Sequence, residues 1–374
     1  MPARLLSTAE ALAALDASPD MLAGLVAAVL REGPGAYVAN AHARVEVIEV
    51  GGVLLPLTVP IAHPNNSYVV SPLAHYVHYA REELPKLGRP RLERALGALL
   101  GGLGGWFERC GLDRTVYVNN ALVSTNLWPR IAPSDLREAV RVLAERFPDR
   151  AVAFRSVDAV GSPAVLAALT GAGGRRVPSR MVYYQDARRP ETITATSAFR
   201  KDLRLMRRTP YRLVAPAPAD APRIEELYRL LYLDKYSTLN PRFTARFFER
   251  AIRDRWLVVR GFEAHGRLDA VLGYFVRDGT MTQPLFGYDT ALPLGCGLYR
   301  LLSTQKLLDG MTRGLLVHAS AGAGGFKRRR GGAMTPEYLV VFDRHLPPAD
   351  RLPWALLGAL GRGVGIPLLR RYEL

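Results

Sequence analysis

Residues 314–332 read Gly-Leu-Leu-Val-His-Ala-Ser-Ala-Gly-Ala-Gly-Gly-Phe-Lys-Arg-Arg-Arg-Gly-Gly, and after a polar break residues 337–344 read Glu-Tyr-Leu-Val-Val-Phe-Asp-Arg. An apolar run ends in small residues, a short basic segment beginning Phe326-Lys327 follows, and a second apolar run closes the stretch. That order is strand, tight Gly-rich turn, brief helix, strand. The turn offers backbone N–H groups and the helix supplies Lys and Arg, a layout suited to a phosphate or a developing oxyanion. It points to transfer chemistry.

The same order of elements occurs twice. In the first half, 115–123 reads as a strand, 133–147 as a helix opened by Pro133-Ser134-Asp135, 151–157 as a strand, 162–169 as a short helix and 177–185 as a strand. In the second half the order returns as strand 280–288, helix 298–308, strand 315–319, short helix 325–330 and strand 337–342. Strands with turn signals precede each block: 44–50 and 53–59 around Gly51-Gly52, then 256–262 and 270–276 around His265-Gly266, followed by Asp278-Gly279. Helices over 222–233 and 241–253 open the second half. The internal sequences differ, so the repeat is one of architecture. The expected fold is α/β: two similar units facing one another, each a mixed, mostly antiparallel sheet flanked by helices, spanning residues 1–198 and 199–374, with the more complete cleft in 213–345.

A chain of 374 residues with 49% hydrophobic content has ample material for buried cores. Its two cysteines, Cys110 and Cys296, are too few for a disulfide framework or a cysteine-based metal site. Glu10, Asp16 and Asp20 interrupt the N-terminal Ala/Leu stretch, which argues against a leader or membrane span and for a cytoplasmic protein. The terminal segment 353–369 reads as a packed helix broken at Gly361 and Gly363, without stable membrane insertion. His75 and His78 are spaced by three, but a strand-like pattern between them directs the rings to opposite faces, so no metal is expected. No Gly-x-Ser-x-Gly elbow or Walker-type Gly-Lys-Ser/Thr is present, which leaves hydrolase and nucleoside-triphosphatase readings without support.

The formal charge is +16, and only five of the 50 basic residues are lysine. Residues 175–212 hold 11 basic and three acidic side chains, a net of 11 − 3 = +8, half of the total charge. A polyanion is a natural partner for that span; a solvated connector is the alternative.

The double unit resembles the GNAT-type N-acetyltransferase fold in tandem, and more closely the Fem-type aminoacyltransferases, which join two such units. Three patterns carry the resemblance. The segment Phe199-Arg-Lys-Asp-Leu-Arg-Leu-Met-Arg-Arg208 is similar to the basic helix that precedes the second Fem unit, which makes Arg200, Lys201, Arg204, Arg207 and Arg208 candidate tRNA contacts. The run 322–331 with Phe326-Lys327 at its centre is similar to the Gly-then-Phe/Tyr-Lys segment that faces the substrate in that family. Gly287-Tyr288-Asp289 and Gly295-Cys296-Gly297-Leu298-Tyr299 occupy the place where acetyltransferases cradle pyrophosphate, but Pro293 removes a donor there. The resemblance implies amide-bond formation from an aminoacyl-tRNA co-substrate to an amine-bearing small molecule or peptide precursor, with no further cofactor. An acyl-CoA-dependent N-acyltransferase and a non-catalytic RNA-binding protein are the alternatives.

For such a transfer the enzyme aligns donor and amine, moves a proton and stabilises an oxyanion. Lys327 is the first candidate for that charge, as a compact cation after a Gly-rich turn, and Arg328 for phosphate. Asp289, at the end of the central strand, either binds the amine and takes its proton or caps the following turn. Tyr288, Tyr236, Asn240, Gln283, Ser320 and Gly322 border the same cleft and are candidate substrate contacts.

Overall fold

The computed structural model describes residues 3–372 and contains 12 strands in one sheet. In chain order the first unit runs β1 (Arg4–Leu5), α1 (Thr8–Asp16), α2 (Ala23–Glu32), β2 (Ala43–Val50), β3 (Val53–Pro60), α3 (Pro90–Arg109), β4 (Thr115–Val118), α4 (Pro133–Arg146), β5 (Ala151–Asp158), α5 (Pro163–Gly171) and β6 (Arg175–Asp186). After α6 (Ser197–Arg208), the second unit runs β7 (Arg212–Val214), α7 (Ala221–Arg229), α8 (Ala245–Arg253), β8 (Val258–Ala264), β9 (Arg267–Arg277), β10 (Thr280–Tyr288), α9 (Leu298–Thr312), β11 (Leu316–His318), α10 (Gly324–Arg328) and β12 (Gly332–Phe342). α11 (Pro348–Leu360) follows.

The repeat read from the sequence is present, and its hairpins form for a local reason. Val50 faces Val53, Ala264 faces Arg267 and Arg277 faces Thr280, so each connection has two residues. All six turn residues lie at positive φ: Gly51 and Gly52, His265 and Gly266, Asp278 and Gly279. Two consecutive left-handed residues match the twist of the flanking strands, and glycine adopts them without a Cβ clash. In each unit one strand pair is parallel, β4 with β5 and β10 with β11, joined through a helix as parallel strands require.

The expectation of one sheet per unit does not hold. The strand order is β1-β2-β3-β4-β5-β12-β6-β11-β10-β9-β8-β7, so β12 of the second unit lies against β5 of the first, and β6 of the first against β11 of the second. Each unit lends its last strand to the other, and a boundary at 198/199 does not divide the sheet. The two exchanged strands pair with one another from Gly332–Gln185 to Val341–Arg175, which joins the halves through main-chain hydrogen bonds.

Apolar clusters cover both faces. One packs α4 and α5 on the first half, another packs α6 and α9 on the second, and a third joins α1 and α2 to α7 and α8 across the units. The first unit alone carries an insertion between β3 and β4, residues 61–114. Within it 74–79 is a helical turn rather than the strand expected around His75 and His78, with His78 exposed. Among the described residues no helix is long and apolar enough to cross a membrane.

Because each unit lacks its own last strand, fragments 1–209 and 210–374 expressed separately will show no cooperative thermal unfolding. Co-expressed, they will form a 1:1 complex with a single transition. Calorimetry of each fragment and of the pair checks this, and a cooperative transition in either fragment alone contradicts it.

Candidate active site

A parallel strand pair that parts leaves a gap between its ends, and each unit has one short parallel ladder, Thr115–Val118 with Ala151–Phe154 and Thr280–Thr282 with Leu316–His318. In the first unit that gap is filled. Arg155, on β5 and only 7% exposed, sends Nη1 to Asn120 Oδ1 at 2.6 Å and to the Val69 carbonyl at 3.1 Å. Asn120 Nδ2 donates to the same carbonyl, so the insertion and the β4 loop close over the gap.

In the second unit the ladder between β10 and β11 covers only Thr280–Thr282 and Leu316–His318. The β9–β10 pairing is irregular between Thr282 and Leu285, at Gln283-Pro284, and no rung joins β10 to β11 after Thr282. Gln283 lies at this irregularity, buried, with Oε1 unpartnered among the described residues. Aromatic rings form one wall: Tyr288 and Phe286 pack on Tyr299, which packs edge-on against Phe326 with centroids 4.8 Å apart. Tyr236 is half-exposed beside Lys235, whose Nζ is 3.5 Å from the Tyr288 hydroxyl.

The Gly-rich turn after β11 bends through left-handed Ser320, Gly322 and Ala323 before α10 begins. Lys327 holds that bend. Its Nζ donates to the carbonyls of Ser320 at 3.0 Å and Ala321 at 2.8 Å and sits 5.3 Å from the centre of the Tyr183 ring. Burial first, then the charges of Lys306 and Arg180, push its pKa well below the ordinary lysine value. The expected free cation facing a reacting oxygen is therefore not what the structure shows. The lysine is a buried clamp on its own loop.

Asp289 is likewise committed. Its carboxylate pairs with Arg223 at 2.9 Å and Arg267 at 3.3 Å and accepts the Ala291 N–H. Burial pushes the pKa up, but the Arg223 hydrogen bond, the Ala291 N–H and the two guanidinium charges outweigh it and hold the carboxyl below its usual range. A carboxylate so stabilised is a poor proton acceptor, and the capping role is the one realised. Asn240 also turns inward: Nδ2 donates to the carbonyls of Tyr232 and Ser237, which makes it a loop brace rather than a substrate contact.

Two groups that the sequence pattern does not single out lie at the centre. Arg180, on β6, forks onto Glu337 of β12 at 2.8 and 3.2 Å and reaches Thr125 Oγ1 and the Ser124 carbonyl of the first unit. Its Nη1 is 3.5 Å from Ser320 Oγ. Lys306, on α9, is buried and donates to Gln185 Oε1 at 3.3 Å, and burial with the nearby Arg330 charge pushes it down to about 7. An Arg inside the apolar run of β6 was the available signal for the first; nothing in the local pattern of α9 marks the second.

Of the tRNA-contact candidates, Arg200, Lys201, Arg204, Arg207 and Arg208 are all exposed on α6 and enter no ion pair among the described residues. The sixth charge of that helix, Asp202, is buried and faces the other way. It accepts from Arg330 at 2.5 Å and Arg300 at 2.6 Å, and the Arg330 guanidinium lies over the Phe326 ring. The basic helix, α9 and the Phe326-Lys327 segment are thus pinned together, with Arg328 exposed beside them.

The presumed pyrophosphate loop is occupied by its own chain. Leu205 of α6 lies on Gly297, where any Cβ would stand 2.5 Å from Leu205 Cδ2. The N–H groups of Cys296 and Gly297 are turned to the carbonyls of Pro293 and Leu294.

The sequence matches no family profile and no curated protein. Solved structures do match. FemX has a TM-score of 0.54 at 9% identity, covering 96% of this chain and all 100% of that one. The C-terminal domain of a putative lysylphosphatidylglycerol synthetase from Agrobacterium fabrum has a TM-score of 0.53 at 12% identity, covering 95% and 97%. A conserved protein of unknown function from Bacteroides thetaiotaomicron has a TM-score of 0.51 at 9% identity, covering 91% and 99%. At these identities the likeness is one of fold, and the Fem-type fold expected from the sequence is borne out over nearly the whole chain.

Two stability measurements check this site. Lys327→Met strands two carbonyls and will cost about 1–3 kcal/mol, read as a lower denaturant midpoint; an unchanged midpoint contradicts the clamp. Lys306 binds its proton less readily folded, at about 7, than unfolded, near 10.5. Between those values unfolding takes up a proton, so stability rises with pH, and below about 7 the penalty is complete. The thermal midpoint of the wild type will climb relative to Lys306→Met from pH 7 to 9, whereas a constant difference contradicts the buried-amine assignment.

Proposed function

We propose that the chain is an acyltransferase that moves an aminoacyl group from aminoacyl-tRNA to an amine-bearing acceptor, a small molecule or peptide precursor. The amine nitrogen attacks the ester carbonyl carbon, the C–N bond forms, the C–O bond to the ribose breaks, and the ribose oxygen takes the proton the nitrogen loses. The observation that carries this reading is α6. It presents five cations to solvent while Asp202, from the opposite side, ties the helix to Arg330 and Arg300 beside the cleft. A polyanion bound there is held next to the segment that borders the reacting position.

The acyl-CoA alternative fares worse on geometry. The pyrophosphate cradle of an acetyltransferase uses free backbone N–H groups at a helix start. Here Pro293 lacks one, two are spent within the turn, and Leu205 covers Gly297. On this proposal Arg328 contacts donor phosphate, while Gln283, Tyr236, Tyr288, Ser320 and Gly322 border the acyl and amine groups. The Oε1 of Gln283 suits an amine N–H.

Incubating the protein with charged total tRNA or a panel of acyl-CoA thioesters, in the presence of mixed amines, identifies the donor. Loss of aminoacyl ester that RNase abolishes is expected. Thioester loss without RNA would establish the CoA reading, and RNA binding without loss of either donor would leave a binding protein. Arg204, Arg207 and Arg208 changed together to Gln will lower the slope of log affinity against log salt by about 2–3. An unchanged slope makes α6 a connector.

A further inference from the structure

His318 closes β11 at the point where β10 parts from it, facing Thr282 across the last rung of the parallel ladder. Its Nδ1 accepts the backbone N–H of Ser320 at 3.1 Å. A neutral imidazole whose Nδ1 accepts carries its proton on Nε2. That Nε2 is buried and has no hydrogen-bond partner among the described residues. Glu337 Oε2 is 3.8 Å away, beyond a hydrogen bond, and both Glu337 oxygens are taken by Arg180. The Tyr184 ring packs edge-on against the imidazole with centroids 4.7 Å apart, which fixes its plane. The ring borders a small polar cavity at the seam of the two units, shared with Thr125, Asn126, Ser156, Asp158 and Tyr184. Asp158 is already satisfied there by the Tyr184 hydroxyl and the N–H groups of Val160 and Gly161.

Burial keeps His318 neutral. Burial lowers its pKa first, and Arg180, Lys327 and Lys306 all act in the same direction. The charge of Glu337, the carboxylate nearest the ring, is bound to Arg180. A neutral N–H donor at a buried site loses no proton to the substrate and interacts weakly with an ester oxygen but strongly with an oxyanion. Lys327 directs two N–H bonds into its own loop, so among the described residues His318 is the buried donor left without a partner at the end of β11.

We infer that His318 Nε2–H donates to the carbonyl oxygen of the acyl group as it becomes an oxyanion, which makes His318 a catalytic residue of the transfer. The inference rests on the acyltransferase reading. In the step, the oxygen accepts this hydrogen bond while the amine adds to carbon. The electron pair returns to the carbonyl as the ribose oxygen leaves, and His318 keeps its proton throughout.

The test compares wild type, His318→Phe and His318→Gln in single-turnover transfer from charged tRNA, with tRNA affinity and thermal unfolding measured on each. His318→Phe keeps a flat ring without a donor and will slow transfer roughly 100-fold or more at unchanged tRNA affinity. His318→Gln restores an amide N–H and will recover to within about tenfold of wild type. Nitrogen-15 NMR of wild type, independent of any variant's folding, will show the Nε2-protonated neutral ring from pH 6 to 8. Near-normal transfer by His318→Phe, a Gln variant as slow as the Phe variant, or a ring that titrates in that range overturns the inference. A wild type that consumes no aminoacyl ester overturns the acyltransferase reading itself, which separates the two failures.

Discussion

The buried carboxylate of Asp202 holds α6, α9 and the segment after β11 in one arrangement. Two guanidinium groups, Arg330 and Arg300, converge on it from the segment after β11 and from α9, and the carboxylate itself belongs to α6. Removing Asp202 leaves the buried Arg330 guanidinium without its carboxylate, a loss of about 3–5 kcal/mol for a buried pair, whereas Arg300 is 39% exposed and is compensated by solvent. The set therefore constrains geometry more than it adds net stability. With it in place the cationic face of α6 points outward, Leu205 rests on Gly297, and Phe326 is pressed between the Arg330 guanidinium and the Tyr299 ring.

The exchanged strands extend that constraint to the whole chain. Because β6 and β12 are paired along their lengths at the centre of the sheet, Arg180 meets Glu337 across the seam and itself reaches Thr125 and Ser124 of the first unit. The space between β4 and β5 of the first unit is filled by Arg155 and Asn120, and the first unit lends Ser124 and Thr125 as partners to Arg180.

Much of this was legible in the sequence. The hairpin turns, the strand-turn-helix-strand stretch 315–342 and the outward cations of α6 depend on local chemistry, glycine at positive φ and periodicity, which a sequence displays directly. The exchange of β6 and β12 was not, since an apolar strand pairs equally well with either of two equivalent neighbours. The sequence marks Lys327 but not its role as a clamp, and it leaves two roles open for Asp289, of which the cap is realised, because the Ser320 and Ala321 carbonyls and the Arg223 and Arg267 guanidiniums that hold these residues come from loop shape and tertiary contact. His318 stands as one polar residue in an apolar run, and only burial with an unpartnered Nε2 distinguishes it from an ordinary core histidine.

On the proposed function the charged 3′ end of a tRNA lies between β10 and the 320–330 segment, with its phosphates along α6. A charged tRNA bearing a photoreactive group on its terminal adenosine tests that placement by cross-linking and peptide mapping. Adducts concentrated in peptides covering 283–299 and 320–330 are the expected result, and they should vanish with uncharged competitor in excess. Adducts confined to the first unit, or spread without preference over the basic surface, would contradict the claim that α6 delivers an acyl donor to this cleft.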